Sequence, residues 1–319
     1  MKAPAFWHRP DSTAAFLLTP LGLIYDSVSR LKRKTGKTET APVPVICVGN
    51  LVAGGAGKTP VALALAAMLA NRNLAFLTRG YGGRESGPVR VDPTAHTARD
   101  VGDEALLLAR AAPTWVARDR PRGAQAAVRA GADLIIMDDG FQNPSLSKDV
   151  SLIVVDGAEG FGNGRVMPAG PLRETVAKGL SRADAVILMG DDTAQAAAAI
   201  GQRLPIFRAQ LRPVSDRLTG RRVLAFAGIG RPQKFFDTLL EMGCKIVVRH
   251  EFADHQPYKP EQIMQLCEEA AALDATPVTT EKDLVRLPPE ARPMVEALPV
   301  ALAWDDPDAI ADFLKDRLT

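Results

Sequence analysis

Cysteine is scarce: Cys47, Cys244 and Cys267 are the only three in 319 residues, and none has CxxC spacing or a histidine partner close by. An odd, scattered set excludes a disulfide framework and a zinc site, and fits the buried reduced thiols of a cytoplasmic protein. Net charge is equally sparse, +2 from 39 basic and 37 acidic residues. No overall field marks nucleic acid as a partner, so any basic contact must be local. Internal repeats, low-complexity tracts and long linkers are also missing. The apolar stretch at residues 14–25 falls well short of the ~20 residues a spanning helix needs. Arg30, Lys32, Arg33, Lys34 and Lys37 follow that stretch, which reverses the order found in an export signal. Two readings of residues 1–37 stay open. One is an amphipathic segment on a membrane surface with its basic cluster toward anionic headgroups on the cytoplasmic side; the other is an ordinary helix docked on the body of the protein.

With 46% hydrophobic residues the chain has ample material for a core and falls in the range of one to two domains. From residue 43, short β-branched runs alternate with alanine- and leucine-rich stretches, the mark of a parallel sheet with crossover helices. Strands are predicted at Val43 to Val48, Leu74 to Thr78, Thr114 to Ala117, Leu134 to Met137, Ser151 to Val155, Ala185 to Met189 and Pro205 to Ala209. Helices are predicted at Pro60 to Ala70, Glu104 to Ala111, Gly123 to Ala130 and Ala194 to Ile200. The pattern restarts after Pro213. A strand at Arg221 to Ala227, a helix at Gln233 to Met242 and a strand at Cys244 to Val248 open a second, smaller α/β domain over 216–319. Strands at Thr276 to Thr279 and Val300 to Ala303, with helices at Pro260 to Ala272 and Pro307 to Leu318, are expected to complete it. Residues 38–215 are then a P-loop NTPase-type parallel sheet with flanking helices.

The strongest chemical signal is the run from Val48 to Pro60, with Gly54, Gly55, Ala56, Gly57, Lys58, Thr59 and Pro60 between a hydrophobic strand and a helix. Glycines let consecutive backbone N–H groups turn toward phosphate oxygens, Lys58 reaches the β- and γ-phosphates, and the Thr59 hydroxyl can ligate Mg²⁺. The strict phosphate-loop pattern asks for glycine at position 52, which is Val52 here. A second signal is the buried strand that delivers Asp138 and Asp139 at its C-terminal end, where P-loop enzymes hold Mg²⁺. Third, Asp103 and Glu104 open a predicted helix, a position that also suits plain N-capping.

Together, these runs closely resemble the tetraacyldisaccharide 4'-kinase family of lipid A biosynthesis. They are Val48 to Pro60, Thr78-Arg79-Gly80-Tyr81-Gly82, Val101 to Glu104, Asp138 to Gln142, Gly170 to Glu174, Phe252-Ala253-Asp254-His255 and Thr280-Glu281-Lys282-Asp283. The resemblance implies transfer of the ATP γ-phosphate to the 4'-hydroxyl of a tetraacyl glucosamine disaccharide 1-phosphate, forming lipid IVA. It implies a peripheral protein on the cytoplasmic face of the inner membrane that closes its domains around nucleotide, with no obligate protein partner and no nucleic acid. It implies Asp103 as the acceptor of the hydroxyl proton, with His255 from the second domain beside it as an imidazolium, and a catalytic role for Lys58. Thr59, Asp138, Asp139 and Glu104 would hold Mg²⁺, while Asn50, Arg79, Tyr81, Gln142 and Arg173 would touch substrate. Arg118 and Arg120 are further candidates for phosphate contacts.

The main alternative is a regulatory or metal-chaperone P-loop NTPase without a small-molecule acceptor. A guanine-specific form would carry Asn/Thr-Lys-x-Asp, and Thr280-Glu281-Lys282-Asp283 sets its lysine one position late. A dinucleotide fold could be raised from Gly228 and Gly230, but Gln233 breaks the required third glycine.

Overall fold

Strand β1, Val45–Gly49, shows how the chain builds two layers of core on one sheet. Its side chains alternate between the faces, with Val45 and Cys47 in one apolar cluster and Ile46 and Val48 in the other, as the two-residue strand period requires. The same alternation recurs in the neighbouring strand, where Ile135 and Met137 face one way and Leu134 and Ile136 the other. A strand buried on both faces belongs at the middle of a parallel sheet.

The computed structural model describes residues 4–9 and 11–318. Of the expected basic cluster, the side chains of Lys32, Arg33 and Lys34 lie outside the described residues. The strands after β1 are β2 Leu74–Thr78, β3 Val89–Arg90, β4 Thr114–Val116, β5 Leu134–Asp138, β6 Val150–Asp156, β7 Ala185–Met189 and β8 Ile206–Pro213. Then come β9 Arg222–Ala227, β10 Lys245–Glu251, β11 Thr276–Thr280, β12 Glu296–Leu298 and β13 Val300–Trp304. Among the described residues they form a nine-stranded sheet in the order β13-β8-β7-β6-β1-β5-β2-β4-β3 and a four-stranded sheet in the order β10-β9-β11-β12. The large sheet is parallel except at its edges, where β13 and β3 run antiparallel to β8 and β4. β1 sits between β5 and β6, with Val48 level with Asp138. The phosphate-binding turn after β1 and the carboxylates ending β5 thus emerge side by side at one edge of the sheet.

Helix Lys58–Met68 covers one face through Val61, Ala62, Leu65 and Ala66. Helix Arg120–Arg129 covers the other through Ala124 and Ala127. The small sheet is likewise sandwiched, by Phe235, Phe236 and Leu239 on one side and Ile263, Leu266 and Ala270 on the other.

One expected placement is corrected. β13 does not complete the small sheet; it pairs with β8, Val300 opposite Pro213 through Trp304 opposite Ala209. Helix Pro307–Leu318 follows it, seating Ile310 and Leu314 in the large-sheet core beside Leu65. β12, unforeseen in the sequence, takes the fourth place in the small sheet. The chain returns because β8 otherwise leaves a bare edge and the apolar positions of the last helix match a core already built by helix Lys58–Met68.

The N-terminal helix, Thr13–Thr35, is docked in an inverted sense. Its inward face is small and polar: Ala15 and Asp26 are buried, Thr19 accepts from Arg165 at 2.6 Å, and Asp26 pairs with Lys178. A Cβ on Gly22 would stand 2.7 Å from the Val166 carbonyl oxygen, so only glycine allows this approach. Outward it presents Phe16, Leu17, Leu21, Leu23, Ile24, Val28 and Leu31, all largely exposed. Both readings of this segment therefore meet in one helix, docked by polar groups and apolar toward the outside. No helix among the described residues is long and apolar enough to cross a membrane.

Ile310→Ala should lower unfolding stability by about 2–5 kcal/mol, the usual effect of emptying a buried aliphatic site. Urea denaturation would measure it, and a change within about 0.5 kcal/mol would mark the last helix as surface dressing.

Candidate active site

After β1 the backbone first runs extended beside residues 171–173. Ala53 donates to the Pro171 carbonyl at 2.8 Å, Arg173 donates to the Leu51 carbonyl at 2.8 Å, and Val52 bridges Leu172. This pairing explains the valine where the strict pattern has glycine: position 52 is strand-like, and the turn itself begins at Gly54. Gly54 and Gly57 adopt left-handed φ of 131° and 89°, and Cβ atoms built on Gly54 or Gly55 would meet nothing within 4 Å. Backbone amides can therefore line an open cradle at the N-terminus of helix Lys58–Met68. Asn50, fully buried, steadies the turn by donating to the Gly54 carbonyl at 3.3 Å.

The two aspartates ending β5 diverge as adjacent strand-end residues must. Asp138 turns to Thr59, whose hydroxyl donates to Oδ2 at 3.0 Å, and its Oδ1 is buried with no hydrogen-bond partner among the described residues. Burial, reinforced by the charge of Glu104, pushes its pKa up to about 7 against the pull of Lys58. A buried carboxylate with an unused oxygen beside a threonine hydroxyl is a donor set that fits Mg²⁺. Asp139, at a left-handed φ of 52°, turns the other way, 3.7 Å from Lys58 Nζ and 2.9 Å from the Arg173 guanidinium. Burial raises its pKa, but Lys58 and then Arg173 outweigh that and hold it below the usual carboxylate range. Gln142 ties the group together, donating to the Asn50 carbonyl at 2.8 Å and accepting from Arg173 at 3.2 Å.

Across the cleft Asp103 meets the histidine expected from the second domain. Asp103 begins helix Asp103–Ala109 and is almost wholly buried; His255 follows β10 in a turn with a left-handed φ of 58°. His255 Nδ1 lies 3.0 Å from Asp103 Oδ2 and 3.2 Å from Oδ1. Burial pushes the Asp103 carboxyl up, but the His255 hydrogen bond and the charges of Lys282 and Arg286 hold it below the ordinary range. Tyr81 meets the His255 ring edge to face, with centroids 5.3 Å apart.

Behind them lies a layer that sequence reasoning left without roles. Arg286, nearly buried, stands 3.5 Å from Asp103 Oδ2, donates to the Gly228 carbonyl at 2.7 Å and pairs with Asp283. Asp283, fully buried, also accepts from the Gly228 amide at 2.9 Å and the Tyr258 hydroxyl at 2.5 Å, while Thr280 caps its turn. Lys282 reaches Glu104 Oε1 at 3.2 Å and His255 Nε2 at 3.3 Å. The Thr280-Glu281-Lys282-Asp283 run at a strand end was the available signal, because threonine at an N-cap fixes where the next three side chains point.

One cleft of about 1030 Å³ takes in Gly54 to Pro60, Tyr81, Glu104, Asp139, Arg173, His255 and Lys282. Arg79 and Arg118 are exposed and do not line it; Arg120 is buried, and desolvation followed by the nearby charge of Arg79 lowers its pKa to about 10. The structure thus brings the glycine-rich turn, Thr59 and His255 to one opening, with Asp138 bonded to Thr59 and Asp103 to His255 just behind its lining.

Known proteins match this arrangement over its whole length. The family profile described as LpxK, tetraacyldisaccharide-1-P 4'-kinase, matches residues 14–319. A tetraacyldisaccharide 4'-kinase of Rhodospirillum centenum is 56% identical, covering 100% of this chain and 97% of that protein. Another, of Rhodospirillum rubrum, is 53% identical over 100% of this chain and 98% of that protein. The crystal structure of LpxK from Aquifex aeolicus in complex with ATP superposes with a TM-score of 0.77 at 26% identity, covering 96% of this chain and 99% of that one. The chain belongs to the tetraacyldisaccharide-1-P 4'-kinase family and is a phosphotransferase.

Proposed function

We propose that this chain transfers the γ-phosphate of ATP to the 4'-hydroxyl of a tetraacyl glucosamine disaccharide 1-phosphate, with Asp103 receiving the hydroxyl proton. The observation that carries the reading is the shared cleft, with Lys58 and Thr59 on one wall and His255 on the other, the latter backed at 3.0 Å by the buried Asp103. Phosphoryl transfer asks little covalent work of a protein, so position and charge decide the rate. The amides from Gly54 to Thr59 bind the polyphosphate and Lys58 supplies a cation at its far end. Asp139, itself held by Arg173, pairs with the Lys58 ammonium.

Thr59 and Asp138 would hold Mg²⁺, with Glu104 and Asp139 at the same opening; bound there, the ion would neutralise charge developing on the phosphate oxygens. Asp103 stays ionised because His255, Lys282 and Arg286 surround it. A low-pKa carboxylate is a weak base, which suffices when the hydroxyl loses its proton late. Of the expected substrate set, Tyr81 and Arg173 line the cleft, Tyr81 the more exposed, whereas Asn50 is fully buried bracing Gly54, Gln142 joins Asn50 to Arg173 outside the lining, and Arg79 is exposed away from it. The outward apolar face of helix Thr13–Thr35 would enter the headgroup region of the cytoplasmic leaflet, which brings the opening to an acylated substrate that stays in the bilayer.

Incubation with γ-labelled ATP, Mg²⁺ and detergent-dispersed tetraacyl disaccharide 1-phosphate should label the lipid. Release of label only as free phosphate would favour an NTPase switch. Lys58→Ala and Asp103→Ala should each cut kcat by about 10²-fold or more, and His255→Ala by less, since loss of a positioned base typically costs 10²–10⁴; near-wild-type turnover of Asp103→Ala would remove it as the base.

Stability should report on Asp138 separately. Its folded pKa, about 7, lies above the ordinary 3.8, so its contribution is present below 3.8 and lost as pH rises through about 7. In chelator at pH 8, Asp138→Asn should melt higher than wild type, with the gap closing below 3.8, while Mg²⁺ should raise the melting point of wild type alone. Equal melting curves in chelator at both pH values would contradict the buried, unpaired carboxylate.

Replacing Leu17, Ile24 and Leu31 by serine should reduce sedimentation with anionic vesicles while leaving activity on detergent-dispersed substrate in place. Unchanged sedimentation would move the anchor elsewhere.

A further inference from the structure

Lys282 lies on the short helix Glu281–Leu284 that opens directly from β11. Its ammonium is within 3.2 Å of Glu104 Oε1, 3.3 Å of His255 Nε2 and 4.0 Å of Asp103 Oδ2. Those three partners could by themselves gather around a cation, for their ligand atoms lie within 4.8 Å of one another. The ammonium reaches all of them from the small-sheet side, and its stem is fixed by the buried Thr280–Asp283–Arg286 network beneath it.

Hydrogen-bond direction then follows from chemistry. An ammonium has three donors and no acceptor, so a ring nitrogen facing it must offer its lone pair. Nε2 of His255 faces Lys282, and the opposite nitrogen, Nδ1, faces Asp103 at 3.0 Å. A carboxylate only accepts, so Nδ1 must carry the proton. Each neighbour demands the same tautomer. A second ring proton on Nε2 would point at the ammonium and has no carboxylate within hydrogen-bond distance, the Asp254 oxygen being 3.7 Å away.

We propose that Lys282 is a positioning residue of the kinase site: it locks His255 as the neutral Nδ1–H tautomer, so that the ring steers Asp103 by donating to it. On this proposal the ring is neutral where an imidazolium was expected, and the positive charge at this corner is the lysine's. His255 thereby orients the Asp103 carboxylate, together with the Glu104 amide that donates to Oδ1 at 3.0 Å, without taking the proton at Nδ1.

This inference rests on Asp103 and His255 being the proton-handling pair, and that assignment fails by a different result, full turnover of Asp103→Ala. The test is ¹⁵N resonance of histidine-labelled full-length protein, practicable because the chain has four histidines, with His255→Gln identifying the signal. Wild type should show a pyrrole-type Nδ1 and a pyridine-type Nε2. Lys282→Met should lose that pattern by gaining a second proton at Nε2, which the ammonium no longer opposes, and drop kcat by about 10–100-fold, the usual result of removing a partner that orients a histidine, with KM for ATP little changed. Lys282→Arg, whose guanidinium also only donates, should restore the tautomer and part of kcat. A wild-type ring that is doubly protonated or carries its proton on Nε2 overturns the proposal, and this decides even if Lys282→Met does not fold. So does a folded Lys282→Met protein that keeps both the wild-type resonances and kcat, or loses kcat with the resonances intact.

Discussion

A buried carboxylate on one sheet must find its counter-charges on the other, and that requirement organises the molecule. Asp103 is 3% exposed, yet the groups that keep it ionised, His255, Lys282 and Arg286, all come from the small-sheet region. Stripping those partners would leave an uncompensated charge in a low-dielectric setting, which costs several kcal/mol. The two sheets therefore bind each other through the same atoms that are proposed to handle the proton. A base that is complete only when both sides meet would do little for water if they parted.

The opposing wall obeys a similar economy. Asp139 neutralises Lys58 and Arg173 together, Gln142 joins Arg173 to the Asn50 carbonyl, and Asn50 holds Gly54. Glu174, fully buried, accepts from Arg182 at 2.6 Å through both oxygens just beyond this chain of contacts. Such bracing is what a glycine-rich turn lacks by itself, since glycines supply the dihedral freedom and no side-chain contacts. Asp138 is left with one oxygen bonded to Thr59 and one unused. Two adjacent aspartates thus part company because a strand end sends them to opposite faces, one toward Lys58 and Arg173 and the other into a buried place beside Thr59 and Glu104, and their pKa values separate in opposite directions.

Much of this was legible in advance because the large sheet obeys local rules. The strands Leu74–Thr78 and Ala185–Met189 and the helix Pro260–Ala272 stand where periodicity places them. Asp103, Asp138, Lys58 and Thr59 announce themselves at strand ends and helix starts. Hidden features are those that depend on distant partners. β13 reads like any short apolar strand, and nothing local says that its neighbour is β8, about ninety residues back. Val52 looks like a defect in the phosphate loop until Leu172 is seen opposite it. Lys282 reads as a surface charge beside an acidic residue, and its three contacts, at positions 103, 104 and 255, arise only when the sheets meet. His255 adopts a left-handed backbone that few non-glycine residues take, a strain that sequence does not display.

The N-terminal helix carries the argument one step further, from catalysis to access. A helix docked on a water-soluble body normally turns its apolar stripe inward. Here Ala15, Thr19, Gly22 and Asp26 face the body, and the stripe Leu17, Leu21, Ile24, Val28 and Leu31 faces out. The inward face is held by directional contacts, Arg165 to Thr19 and Lys178 to Asp26, so its orientation does not depend on hydrophobic burial against the protein. Lys178 lies four residues past Glu174 and five past Arg173, the partner of Asp139. The segment that braces the phosphate cradle therefore also anchors the helix with the apolar stripe. If the stripe meets the acylated substrate as proposed, substrate and nucleotide would be referred to one short stretch of chain, residues 171–178, which touches the helix through Lys178 and the glycine-rich turn through its pairing with residues 51–53.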